Sequence, residues 1–182
     1  MLRFEQQANG GTPADIVESL KRGDRAVQEW VYRSYSRMVY TTARRMLGDA
    51  GLAEDATQDT FVDVLSKART LEREDALGAW VRRIAVNHCL MRLRSPWTRW
   101  RTVVRVDVEP THSTEDATVE RATDLERALD RLPAKTRAVI WLHDVEGYTH
   151  EEVGRLFGRT ASYSKSQLAR GYQRLRDLRT DR

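Results

Sequence analysis

The chain has 182 residues, 40% of them hydrophobic, and 31 Lys and Arg against 27 Asp and Glu give a formal net charge of +4. That length accommodates one compact domain or two small helical ones, and so nearly balanced a charge makes its placement more informative than its sum. A single cysteine, Cys89, excludes an internal disulfide framework and a thiolate metal cluster. No stretch is apolar and long enough to span a bilayer, and Met1 to Gly11 lacks the hydrophobic core of a signal peptide, so a soluble protein of a reducing cytoplasm is expected.

Thr12, Pro13 and Asp15 have the order of an N-cap, a first-turn proline and an early acid, and predict a short helix through Leu20. Gly23 and Asp24 make a joint. Val27, Trp30, Val31, Tyr35, Met38, Val39, Thr42 and Met46 then recur at three- and four-residue steps, the period of one buried helix face, until Gly48 stops the run. A helix over about 53–68 turns Ala56, Thr60, Phe61, Val64, Leu65 and Ala68 inward and projects Asp55, Gln58, Asp59 and Asp63, so its outer face is acidic. Another, over about 76–94, buries Leu77, Trp80, Val81, Ile84, His88 and Cys89 and leaves Arg82, Arg83, Asn87, Arg92 and Arg94 largely outward, so its outer face is basic.

Residues 107–120 (DVEPTHSTEDATVE) lack apolar periodicity and read as an acidic linker. Beyond it Leu125, Leu129 and Leu132 lead to Pro133, which can start a helix carrying Val139, Ile140, Leu142 and Val145 to Gly147. Thr149 and Glu152 form a capping-box signature for a short helix with Val153, Leu156 and Phe157 inward, ended by Gly158, and a longer helix begins near Ser162. Two helices joined by a tight glycine-containing turn at a basic terminus suggest a helix-turn-helix. From Arg155 to Arg182 eight basic residues face two acidic ones, a net of +6 that exceeds that of the whole chain.

These segments resemble a known family. The run Ala53 to Phe61 (AEDATQDTF) is similar to the part of sigma region 2 that grips the polymerase clamp helices, and Ala79 to Arg94 (AWVRRIAVNHCLMRLR) to the promoter-melting, −10-reading helix that follows. Leu132 to Leu142 (LPAKTRAVIWL), then Gly147, Tyr148 and Glu152, then Lys165, Ser166, Leu168 and Arg170, resemble region 4, which reads the −35 element. Nothing between the halves looks like the extra domain of larger sigma factors, so the resemblance is to bacterial RNA polymerase sigma factors of the extracytoplasmic-function (ECF) class. It implies an all-α fold of two small helical domains joined by the acidic linker. Residues 1–25 would be an N-terminal segment, 26–95 region 2, 96–120 the linker and 121–182 region 4.

The resemblance also implies roles. Asp55, Gln58, Asp59 and Phe61 would bind core polymerase; the first three share a helix face at i, i+3 and i+4 and can meet basic side chains, although such a face taken alone is more often plain solvated surface. The loop bearing Arg73, Glu74 and Asp75 would capture a base flipped from the −10 element, the alternative being an ordinary polar connector. Arg82, Arg83, Asn87, Arg92 and Arg94 would contact −10 DNA, Asn87 offering both a donor and an acceptor to a base edge. Trp97 and Trp100 either stack on single-stranded bases or dock the start of the linker. Ser162, Lys165, Ser166, Gln167, Ala169, Arg170 and Arg174 would face the −35 groove or its phosphates. Three positions depart from the family pattern: Arg159 and Ser164 stand where aliphatic residues usually seat the recognition helix, and Gln167 replaces a usual arginine.

The partners so implied are the core polymerase, through its largest-subunit clamp helices and its flap, promoter DNA and an anti-sigma factor, with no membrane. His88 and Cys89 fall on or near the buried face, apart from His112 in the linker and from His143 and His150 in the other domain, so neither a metal nor another cofactor is expected. No nucleophile triad, phosphate loop or carboxylate pair stands out, so no enzyme is expected either. The rival reading is a helix-turn-helix regulator that binds duplex DNA without polymerase; it has no use for the acidic motif or the −10-type helix.

Overall fold

The computed structural model describes residues 13–71, 76–95 and 124–180. All secondary structure among them is helical. The chain divides into two compact units, Met1–Arg44 with Asp49–Cys89, and Arg45–Gly48 with Leu90–Arg182.

Helix α1 (Pro13–Arg22) carries Asp15 in its first turn and Lys21 and Arg22 in its last, charges that complement the helix dipole. Helix α2 (Arg25–Leu47) follows after Gly23 and Asp24, and α3 (Ala50–Ser66) after Gly48 and Asp49. Both joints use one device. A glycine at positive φ (82° at Gly23, 72° at Gly48) ends one helix. The aspartate after it caps the next: Asp24 Oδ1 accepts from the amides of Ala26 (2.9 Å) and Val27 (3.3 Å), and Asp49 Oδ1 from that of Leu52 (2.9 Å). Each cap contributes about 1 kcal/mol. A 3₁₀ turn, Ala68–Thr70, closes α3, and α4 spans Leu77–Arg94.

The core of this first unit joins Val31 and Val39 of α2, Phe61 and Val64 of α3, and Leu77, Val81 and Ala85 of α4. It also takes in Ile16, Val17 and Leu20 of α1, so the packed region starts well before residue 26. Thr60, fully buried, is satisfied by donating to the carbonyl of Ala56 at 2.6 Å. Leu65, expected inward, is instead 40% exposed. It lies one residue past Val64, at the edge of the apolar stripe, and α3 turns Val64 to the core in its place.

In the second unit α5 (Asp124–Asp130) is followed by α6 (Ala134–Ile140), which Pro133 opens and which runs on through a π-helical turn, Trp141–Val145. The amide of Glu146 donates to the carbonyl of Trp141, five residues back, at 3.0 Å. This wider turn carries Val145, expected among the apolar positions of this helix, out to 58% exposure. Arg137 is buried, and its Nη1 donates to the carbonyls of Asp130 (3.3 Å) and Leu132 (3.4 Å), groups that the end of α5 leaves without helical partners. Helices α7 (His150–Leu156) and α8 (Ala161–Thr180) form the helix-turn-helix.

Candidate polymerase and nucleic-acid interfaces

On α3, Asp55, Gln58 and Asp59 are all exposed, and the same stripe continues one turn on with Val62 (62% exposed) and Leu65. The face is thus acidic at one end and apolar at the other, a feature that charge spacing alone did not reveal. The signal lay in Val62 and Leu65, which follow Asp55, Gln58 and Asp59 at helical steps. Phe61, turned inward by the helical period, is only 6% exposed and packs against Tyr32 with ring centroids 4.7 Å apart. Its burial leaves little of the ring exposed, and it supports the acidic face from beneath.

The outer face of α4 presents Arg83, Asn87 and Met91 at four-residue steps, with Arg94 also exposed, while Arg82 and Arg92 are half-buried at its flanks. The inner edges of α3 and α4 are tied by a polar contact. Asp63 Oδ2 lies 2.9 Å from His88 Nε2 and 2.8 Å from the Lys67 ammonium. The Lys67 hydrogen bond, helped by His88 and opposed by partial burial, holds the Asp63 carboxyl below its ordinary value of 3.8. His88, expected inside, is therefore half-buried and paired, whereas Cys89 is fully buried. Arg73, Glu74, Asp75, Trp97 and Trp100 lie outside the described residues.

The capping box opens α7. Thr149 Oγ1 accepts from the Glu152 amide, and Glu152 Oε2 accepts from the Thr149 amide at 2.8 Å. These bonds, the backbone one foremost, lower the Glu152 pKa. Gly158, at φ 63°, turns the chain. Gly154 lets the turn approach closely: a Cβ there would stand 2.7 Å from the backbone of Thr160.

Along α8, Ser162, Lys165, Ser166, Ala169, Arg170 and Arg174 are exposed at steps that keep them on one side, while Ser164, Leu168 and Gly171 are buried on the other. Gln167 is corrected: its Oε1 accepts from Thr136 Oγ1 of α6 at 2.7 Å, so the side chain is turned towards α6 rather than outward. Position 167 borders the inner stripe of 164, 168 and 171, and the threonine offers a donor there. Tyr172, further along, donates to Asp144 at 2.8 Å; partial burial, with that hydrogen bond, raises its pKa. Among the described residues no group of three or more side chains could hold a metal ion, and no helix is long and apolar enough to cross a membrane.

Two family models match the chain: Sigma-70 region 2 over residues 31–101 and Sigma-70, region 4, over residues 122–175. The ECF RNA polymerase sigma factor SigM of Mycobacterium tuberculosis is 31% identical over 173 residues, spanning 91% of this chain and 83% of its own. The ECF sigma factor SigW of Bacillus subtilis is 25% identical, spanning 88% and 92%. The fold is similar to that of the sigma factor RpoE of Bartonella quintana, solved in complex with the anti-sigma factor NepR, with a TM-score of 0.55 at 23% identity over 84% of this chain and 96% of that one. Helices with an acidic outer face, a cationic outer face and a helix-turn-helix thus follow one another in the order in which the two family models match, and the chain belongs to the ECF sigma factors, a family of non-enzymatic transcription initiation factors.

Proposed function

We propose that this sigma factor docks the acidic and apolar face of α3 on the clamp helices of core polymerase, reads and helps to melt the −10 element with α4 and the loop before it, and reads the −35 element with α8. Residues 26–95 act as region 2, 121–182 as region 4, and 96–120 as the linker. The observation that carries this reading is the sorting of exposed side chains. Asp55, Gln58 and Asp59 share one helix face, Arg83 and Asn87 line another, and Lys165, Ser166, Ala169 and Arg170 a third, each backed by buried residues.

Each face suits its partner. Val62 and Leu65 extend the clamp contact with apolar surface that a helix partner would cover. Arg83 supplies charge to phosphates, and the Asn87 amide can pair with a base edge. Arg82 and Arg92, half-buried, fit flanking phosphate contacts, as does exposed Arg94. In region 4, Lys165 and Arg170 are long enough to reach base edges or phosphates, Ser162 and Ser166 can donate at close range, and Arg174 serves the backbone. The chain itself makes no covalent bond; the polymerase performs the chemistry, in the cytoplasm. Because the docking faces are exposed, an anti-sigma factor that covers them would silence the protein.

Run-off transcription on genomic promoter fragments, with core polymerase alone and with this protein added, tests the reading. Site-specific initiation that depends on the protein is the expected result. Duplex binding with no binding to core would favour a free-standing regulator instead.

A further inference from the structure

The first turns of the recognition helix are seated by polar contacts. Ser164 is fully buried on the inner stripe of α8, and its Oγ lies 3.1 Å from Nδ1 of His150, the first residue of α7. The His150 ring in turn stacks on His143, with centroids 4.2 Å apart and planes 19° from parallel. His143 is itself fixed. Its Nδ1 lies 2.8 Å from the carbonyl oxygen of Tyr148, and since a carbonyl only accepts, that nitrogen carries the proton. A chain of contacts therefore runs from the π-helical turn after α6, through the start of α7, to the buried side of α8.

We propose that His150 is a positioning residue for promoter recognition: braced by His143 and hydrogen-bonded to Ser164, it sets the rotation of α8 and so the sequence preference of the residues on its outer face. This rests on the assignment of α8 to the −35 element. Apolar contacts are not directional, and an aliphatic pair here would tolerate small rotations of the helix. A hydrogen bond does not. Leaving the buried hydroxyl unpaired is costly, which penalises any rotation that carries Ser164 away from His150. Lys165 and Ser166 are the next two residues of the same helix, so a rotation at Ser164 is carried directly to them. The Thr136–Gln167 bond, one turn on, is a second polar restraint on the same side.

The test uses holoenzyme assembled from core polymerase and the full chain, offered a pool of duplex promoters randomised at the −35 element, with bound sequences counted for wild type, His150→Leu, Ser164→Ala and His150→Gln. Each variant is assayed at a temperature at which circular dichroism gives the wild-type helix signal. The wild type should enrich a defined −35 sequence. His150→Leu and Ser164→Ala should lose about tenfold in the ratio of preferred to random sequence, with non-specific affinity little changed because Lys165 and Arg170 remain. His150→Gln, which keeps a hydrogen-bonding partner for Ser164, should recover most of the preference. Variants that melt earlier but retain the wild-type preference would show a merely structural role and overturn the proposal. A wild type with no −35 preference would instead overturn the assignment of α8, and the proposal with it.

Discussion

The two units carry their outward faces on differently built interiors. Behind the acidic face of α3 lie Ala56, Thr60, Phe61 and Val64, and behind the cationic face of α4 lie Val81, Ala85 and Cys89, almost entirely apolar packing. The inner stripe of the recognition helix in the second unit is mixed instead: beside Leu168 and Gly171 it carries Ser164 and Gln167, each hydrogen-bonded to a neighbouring helix. An apolar interior holds a face in place by area and tolerates modest changes of shape. Polar contacts and close packing added to such an interior hold a face by direction and distance as well, so they define the orientation of α8 more sharply and leave less room for substitution.

The largest effect should come from breaking the first face while sparing its interior. Asp55→Arg with Asp59→Arg puts two cations where a basic partner helix would dock, and affinity for core polymerase should fall by about a hundredfold or more. Helix content should stay unchanged, because both positions are exposed. Unaltered binding in a pull-down would remove the α3 assignment.

Close packing in the second unit predicts the next effect, and it sharpens the contrast between its own glycines. At Gly154 an added Cβ would meet the backbone of Thr160 at 2.7 Å, and backbone cannot step aside. Gly154→Ala should therefore destabilise the second unit by about 1–3 kcal/mol in chemical denaturation. At Gly171 the nearest obstacle is the Ile140 Cδ1 atom at 2.6 Å, the end of a side chain that can turn, with the Thr136 Cγ2 atom at 2.9 Å. Gly171→Ala should cost less, the more so because alanine favours the helix by about 1 kcal/mol. In the first unit the equivalent probe is milder still: a Cβ at Gly78 would sit 3.3 Å from the Tyr35 ring, and Gly78→Ala should be close to neutral.

The smallest effect concerns the polar tie between α3 and α4 in the first unit. The folded Asp63 carboxyl is held below its ordinary 3.8, first by Lys67 and then by His88, so the stabilisation is fully present above that value and is lost as pH falls through the folded pKa. Asp63→Asn should lower stability near neutral pH by about 0.5–1 kcal/mol, since the Lys67 partner is largely in solvent. The difference from wild type should shrink below pH 3.8 and vanish once the pH is below the lowered folded pKa. A gap that persists unchanged there would mean that the aspartate acts through packing rather than charge.

Much of this was legible in the residues themselves. Helix ends are local events: Gly23 with Asp24, Gly48 with Asp49, and Thr149 with Glu152 are each closed by side chains within a few positions of the backbone they cap, so the sequence determined them without help from the rest of the fold. The charge of each outer face followed from spacing in the same way. What a period of 3.6 residues cannot do is decide the fate of a residue at the border of a stripe. Leu65, Val145 and Gln167 all sit at such borders. Only the tertiary structure sent Leu65 outward beside Val62, Val145 outward on a π-helical turn and Gln167 inward to Thr136. Tertiary structure likewise brought together Asp63 with His88 and His150 with Ser164, because those contacts depend on how neighbouring helices cross, which no single helix encodes.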